Sequence, residues 1–116
     1  MVRLAALLAV IAVGAIAIAP AGAQHRALRT QVNVAASEFK FVLSKKTGSR
    51  GVVVFKVTNV GAVQHDFQIS GRKTKMLSHG QSATLRVTFL RKGTYSYKCT
   101  VAGHAAAGMK GVFTIK

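Results

Sequence analysis

Residues 93–115 read Gly93-Thr-Tyr-Ser-Tyr-Lys-Cys99-Thr-Val-Ala-Gly-His104-Ala-Ala-Ala-Gly-Met109-Lys-Gly-Val-Phe-Thr-Ile115. Tyr95, Tyr97 and Cys99 alternate, so they share one face of a strand that ends on the only cysteine of the chain. Thr100 to Gly111 is a Gly/Ala-rich loop, and Val112 to Ile115 reads as a closing strand. Working backwards, Leu85, Val87 and Phe89 alternate, with Arg91-Lys92-Gly93 as the turn that follows. Ser70 to Gln81 is a polar, basic connection, and Phe67 and Ile69 mark a short strand before it. Val52 to Thr58 is apolar and β-branched, the pattern of a strand buried on both faces or close to it. Val32 and Val34 alternate on one parity, and Phe39, Phe41 and Leu43 on the other. The change around Ala36 to Glu38 predicts a bulge or kink between two strand segments. No helical stripe interrupts this series. About seven to eight short strands separated by turn signals predict an all-β fold, a β-sandwich.

The same stretch carries the chemistry. Cys99, His104 and Met109 recur at five-residue steps, and a glycine directly precedes both His104 and Met109. Glycine lets a short loop turn sharply, so donors spaced in this way can converge on one centre. A fourth donor, His65, lies 34 residues before Cys99, on a loop opened by Asn59-Val60-Gly61. Two imidazoles, a thiolate and a weak thioether form the ligand combination of a blue-copper electron-transfer site. Thiolate and thioether suit Cu(I), imidazole supports Cu(II), and a cage held by strands moves little when an electron arrives. Each residue alone has a plainer reading: a lone strand-end cysteine or a buried methionine is core packing. Structural zinc sites, the main competitor, do not normally use methionine.

These residues resemble the cupredoxins, the type 1 copper proteins related to plastocyanin and azurin. The spacing Cys99-x4-His104-x4-Met109 is similar to that of rusticyanin-type members. The resemblance runs from about Val32 to Lys116. Val34-Ala-Ala-Ser-Glu-Phe-Lys-Phe41 resembles the opening strand, Asn59 to Phe67 the first-ligand loop, and Gly93 to Cys99 the strand into the ligand loop. It implies a Greek-key β-sandwich that binds one copper ion through His65, Cys99 and His104, with Met109 as the weak axial ligand. It also implies one-electron transfer, with His104 as the more exposed ligand in an apolar patch. The chain departs from the family pattern at Gln64 and Ala102, where many members carry proline, and at Asp66, often asparagine. A charged Asp66 would favour Cu(II).

The N-terminus reads as a targeting segment. Arg3 precedes the apolar run Leu4–Ala19, Pro20 breaks it, and Ala21-Gly22-Ala23 offers a signal-peptidase site. The run has 16 residues, short of the ~20 that span a bilayer, so cleavage after Ala23 is expected over retention as an anchor. The expected organisation is a secretory signal (1–23), a polar leader (24–30) and one copper-binding domain (31–116), placed in the periplasm or outside the cell. Losing Arg3 leaves 16 basic residues against Glu38 and Asp66 alone, a net charge of +14 with neutral histidines.

That field favours an acidic redox protein docking near His104 by electrostatics, and it also allows an anionic membrane surface or an N-terminal tether. Export and the scatter of lysine and arginine argue against nucleic acid, and a monomer is expected. Two carboxylates give no acid/base pair, and neither a phosphate loop nor a nucleophile elbow is present, so an enzyme is not expected. The alternatives are a copper-binding or delivery protein without a redox partner and a cationic surface module of the same fold. His25 reads as leader and His79 as a solvated turn residue. Tyr95, Tyr97 and the six phenylalanines, Phe39 among them, read as packing.

Overall fold

The computed structural model describes residues 9, 11–15 and 29–116. The expected signal segment (1–23) and leader (24–30) lie outside the described residues apart from 9, 11–15, 29 and 30. Among the described residues no helix is long and apolar enough to cross a membrane. The described residues form nine strands: β1 (Thr30–Ser37), β2 (Lys40–Leu43), β3 (Thr47–Gly48), β4 (Gly51–Asn59), β5 (Gln68–Ile69), β6 (Arg72–Lys73), β7 (Ser82–Phe89), β8 (Gly93–Lys98) and β9 (Lys110–Ile115). They make a four-stranded sheet in the order β2-β1-β4-β7 and a five-stranded sheet in the order β3-β9-β8-β5-β6. The expected all-β sandwich is therefore the observed architecture, with the strand number raised by two-residue strands that only pairing reveals.

Strand β4 lies inside its sheet because its β-branched residues suit a pleated surface covered on one side and paired on both edges. It runs parallel to β1 (Val32 beside Phe55) and antiparallel to β7 (Phe55 beside Leu85). Alternation then sends Val32, Val34, Val53, Phe55, Val57, Leu85, Val87 and Phe89 inward. From the second sheet Ile69, Tyr97, Phe113 and Ile115 meet them, and Phe67 fills the space between. Phe55 packs 5.3 Å from both Phe67 and Phe113, centroid to centroid. Fully burying a side chain of this size stabilises by roughly 1.5–3 kcal/mol, so these rings anchor the sandwich.

Two expectations change. The parity switch after Ala36 is a reversal rather than a bulge: β1 and β2 pair antiparallel, Ser37 beside Lys40, with Glu38 and Phe39 at the turn. Phe39 consequently leaves the core and is 43 % exposed. The connection from Ser70 to Gln81 is more structured than its polarity suggests. It contributes β6 and buries Thr74 and Leu77. The strand directions bring the β1–β2 turn, the 60–65 loop and the 99–109 loop to one end of the sandwich.

Candidate metal centre

Strand β8 delivers Cys99 buried, on the inward parity shared with Tyr97. The loop after it is a run of tight turns. His104 N–H donates to the Val101 carbonyl, Met109 N–H to the His104 carbonyl and Cys99 N–H to the Met109 carbonyl, each at 3.1 Å. Gly103 and Gly108 adopt φ of 82° and 123°, conformations that side chains resist, immediately before His104 and Met109. A Cβ on Gly108 would stand 3.1 Å from the Phe39 carbonyl oxygen, so the loop closes directly on the β1–β2 turn. Met109 is fully buried and packs with Cys99 and Ala36.

His65 is held by a separate device. The buried Asn59 side chain donates to the carbonyls of Val63 and Leu77, and its Oδ1 accepts from Gly61 N–H, each at 2.8 Å. His65 then bridges to Leu77 through a reciprocal backbone pair of 3.1 and 2.8 Å. His79 is exposed, yet its Nδ1 meets the Gly61 carbonyl at 2.7 Å, so it braces this loop instead of facing only solvent.

The two loops bring three of the four expected donors face to face. His65 Nδ1 lies 3.1 Å from His104 Nδ1, and Cys99 Sγ lies 4.0 Å from the first and 3.7 Å from the second. All three donors fall within 4.8 Å of one another. Nitrogen and sulfur bonds of about 2.0 and 2.3 Å, as they are for zinc, leave tetrahedral donors roughly 3.5 Å apart. The triangle therefore matches a single first-row ion, and thiolate, imidazole and an adjacent thioether are the donors that suit copper.

Glu38, which the sequence reading passed over, completes the setting. Its Oε1 accepts from Val63 N–H at 2.9 Å and from His65 Nε2 at 3.0 Å. An ionised carboxylate only accepts, so Nε2 carries the ring proton and the Nδ1 lone pair is turned toward Cys99 and His104. The Val63 backbone bond holds the Glu38 carboxyl down to about 2; burial works against this, and the bond from His65 adds to it. Gly61 makes the room: a Cβ there would stand 2.5 Å from Oε1. The signal available from sequence was thin, a lone glutamate at a strand junction.

Asp66, 2 % exposed, faces the other way. Its Oδ1 accepts from Thr100 N–H at 2.6 Å, and its Oδ2 takes the Thr100 hydroxyl. It ties the His65 loop to the residue after Cys99. Burial pushes the Cys99 thiol above its ordinary range, and the nearby Asp66 charge adds a smaller upward push against two backbone bonds that lower it. Metal uptake as thiolate must therefore release a proton. At the surface, the Phe39 ring stands edge-on to His104, centroids 5.0 Å apart. Exposed Val60, Val63 and Met76 lie at the same end.

A sequence profile for copper binding proteins of the plastocyanin/azurin family matches residues 24–116. No curated protein sequence matches the chain. Among solved structures, dithionite-reduced auracyanin from the photosynthetic bacterium Roseiflexus castenholzii superposes with a TM-score of 0.67 at 28 % identity. That alignment covers 75 % of this chain and 97 % of the auracyanin. Auracyanin A, a "blue" copper protein of the green thermophilic photosynthetic bacterium Chloroflexus aurantiacus, shares the fold with a TM-score of 0.64 at 19 % identity, over 76 % of this chain and 99 % of its own. A chain of a heme-copper terminal oxidase dimer shares it too, with a TM-score of 0.64 at 24 % identity, over 80 % and 67 %.

Proposed function

The chain belongs to the plastocyanin/azurin family of copper-binding proteins, and from that premise we propose that it is an exported one-electron carrier. His65, Cys99 and His104 would hold the copper, with Met109 as the weak axial donor. When bound, the copper supplies the Cu(I)/Cu(II) couple. The observation that carries the reading is the triangle of two Nδ1 atoms and one Sγ, buried on the His65 and Cys99 sides and half-exposed on the His104 side. The protein's part is to keep that triangle fixed. Glu38 and the Leu77 bridge orient His65, Asp66 joins the two loops, and the turns at Gly103 and Gly108 set His104 and Met109. Fixed donors need little rearrangement between oxidation states, which is what fast electron transfer requires.

Electrons would enter and leave at the His104 edge. Phe39 beside it, with Val60, Val63 and Met76 at the same end, supports a short-lived apolar contact. Lys40, Lys75, Lys98 and Lys110, all exposed, lie at or toward this end, so the partner we propose is an acidic redox protein steered by charge. We place residues 1–23 as a secretory signal and the working protein in the periplasm or outside the cell, as a monomer that is not itself an enzyme.

Reconstitution with Cu(II) tests the site. The loaded protein is expected to show an intense visible thiolate-to-copper absorption and a narrow copper hyperfine splitting, both lost on adding dithionite. Cys99→Ser should remove the colour while the sandwich stays folded. A coloured Cys99→Ser protein would refute the ligand assignment.

A further inference from the structure

The end of the sandwich opposite His104 has a character of its own. Arg29 precedes β1 there, Arg50 precedes β4, Arg91 and Lys92 form the β7–β8 turn, and Lys116 follows β9; all five are exposed. Leu90 projects among them and is 79 % exposed, an isolated apolar residue between β7 and a pair of cations. The outer face of the β2-β1-β4-β7 sheet adjoins this end. It carries a groove of about 610 Å³ lined by Arg29, Gln31, Lys45, Val54 and Arg86. A second groove of about 270 Å³ shares Gln31, Val54 and Arg86 and extends toward Lys56. No carboxylate lines either groove, because the chain's two acidic residues both sit at the His104 end.

We propose that this end and the adjoining groove dock on an anionic phospholipid surface. Charge selects an anion, and the guanidinium forks of Arg29 and Arg86 beside Val54 match a phosphate headgroup. A further observation selects a lipid over an acidic protein. Leu90 stands where a docked sandwich would push it into the boundary between headgroups and acyl chains. Docking there turns His104 away from the bilayer, leaving the electron-transfer edge open to its partner. The inference goes beyond the electron-carrier reading and holds whether or not the site binds copper.

Flotation of the working protein, residues 24–116, tests it, using vesicles of phosphatidylcholine alone or mixed with phosphatidylglycerol. The protein is expected to prefer the mixed vesicles, and the preference should fade with salt. The triple variant Arg29→Gln/Arg86→Gln/Arg91→Gln should lose about 100-fold in binding to them, at the per-charge contribution of a basic residue near an anionic bilayer. Lys73→Gln/Lys75→Gln/Lys110→Gln has the same net charge but lies on the β5–β6 and His104 side, and it should lose only a few-fold. Leu90→Ser should weaken binding several-fold in a way that salt does not change. Equal losses in the two triple variants would overturn the proposal, since net charge alone would then suffice. So would equal binding to phosphatidylcholine alone, which would leave the cations of this end without a role.

Discussion

Met109 carries two roles that a pair of substitutions separates. Its side chain is fully buried against Cys99 and Ala36, with Phe41 and Val101 packed alongside. Met109→Ala empties that space, and truncations of this kind cost about 2–5 kcal/mol. In a domain of this size each kcal/mol moves the melting temperature by roughly 4–8 °C, so the apo-protein should melt at least about 8 °C lower. Met109→Leu keeps the volume and should cost under about 1.5 kcal/mol. It retains the backbone bond from Cys99 N–H to the residue-109 carbonyl but removes the sulfur. Although a thioether is a soft donor, Cu(I) is satisfied by three ligands while Cu(II) gains more from a fourth, so its loss should raise the reduction potential. The assay is thermal melting of both apo-proteins by circular dichroism, together with redox titration and paramagnetic resonance of both loaded forms. If Met109→Leu leaves potential and spectrum unchanged, Met109 is core packing and the axial assignment fails. If Met109→Ala melts with the parent, the packing argument fails as well.

Two other perturbations probe the supports of the site. Glu38 titrates at about 2 in the folded protein against an ordinary 4.5, so the stability it contributes is present above pH ~4.5 and is lost as pH falls toward 2. Glu38→Gln should flatten the acid limb of an apo-protein stability profile over that window and raise the potential of the copper-loaded protein; an unchanged limb would refute the role given to the Val63 and His65 bonds. Gly111 pairs with Tyr97 across β8 and β9, and a Cβ on it would overlap the Tyr97 hydroxyl. Gly111→Ala should cost about 1–3 kcal/mol by overpacking, seen as an earlier urea midpoint with an unchanged slope, and a midpoint equal to the parent's would contradict the packing described for Tyr97.

The readable parts of this protein follow from two local rules. Alternation marks which face a strand residue takes, and it identified Val32, Val34, Leu85, Val87 and Phe89 as inward without any knowledge of pairing. Glycine before a donor marks a sharp turn, and Gly103 and Gly108 indeed take positive φ there. What stayed hidden depends on contacts between distant segments. The Glu38–Phe39 turn lacks the Asn-Gly or Asp-Gly signal of a tight hairpin, so the parity switch reads equally well as a bulge. Phe39 looks like core by composition, but the reversal places it on His104 instead. Glu38 and His65 are 27 residues apart, and nothing local marks a glutamate as the acceptor of a particular imidazole. Asn59 read as a turn residue, and its clamp on Val63 and Leu77 appears only when the Ser70–Gln81 connection folds back.

The placement of charge links fold and function. A chain with two carboxylates could have spent them on surface ion pairs, which are worth about 0–1 kcal/mol each. Both instead serve the His65 loop, Glu38 by orienting the imidazole and Asp66 by tying Thr100 to it. Among the described residues the one close contact between an acidic and a basic side chain is the hydrogen bond from His65 Nε2 to Glu38. The described lysines and arginines therefore have no carboxylate partner, and the fold rests on its phenylalanine core and its ladders. An unpaired cationic surface repels itself and stays available to anions from outside. In this arrangement the acid residues brace the metal-ligand end, while the cations they leave unneutralised supply the charge on which both proposed contacts rest, the acidic protein at His104 and the phosphate surface at Leu90.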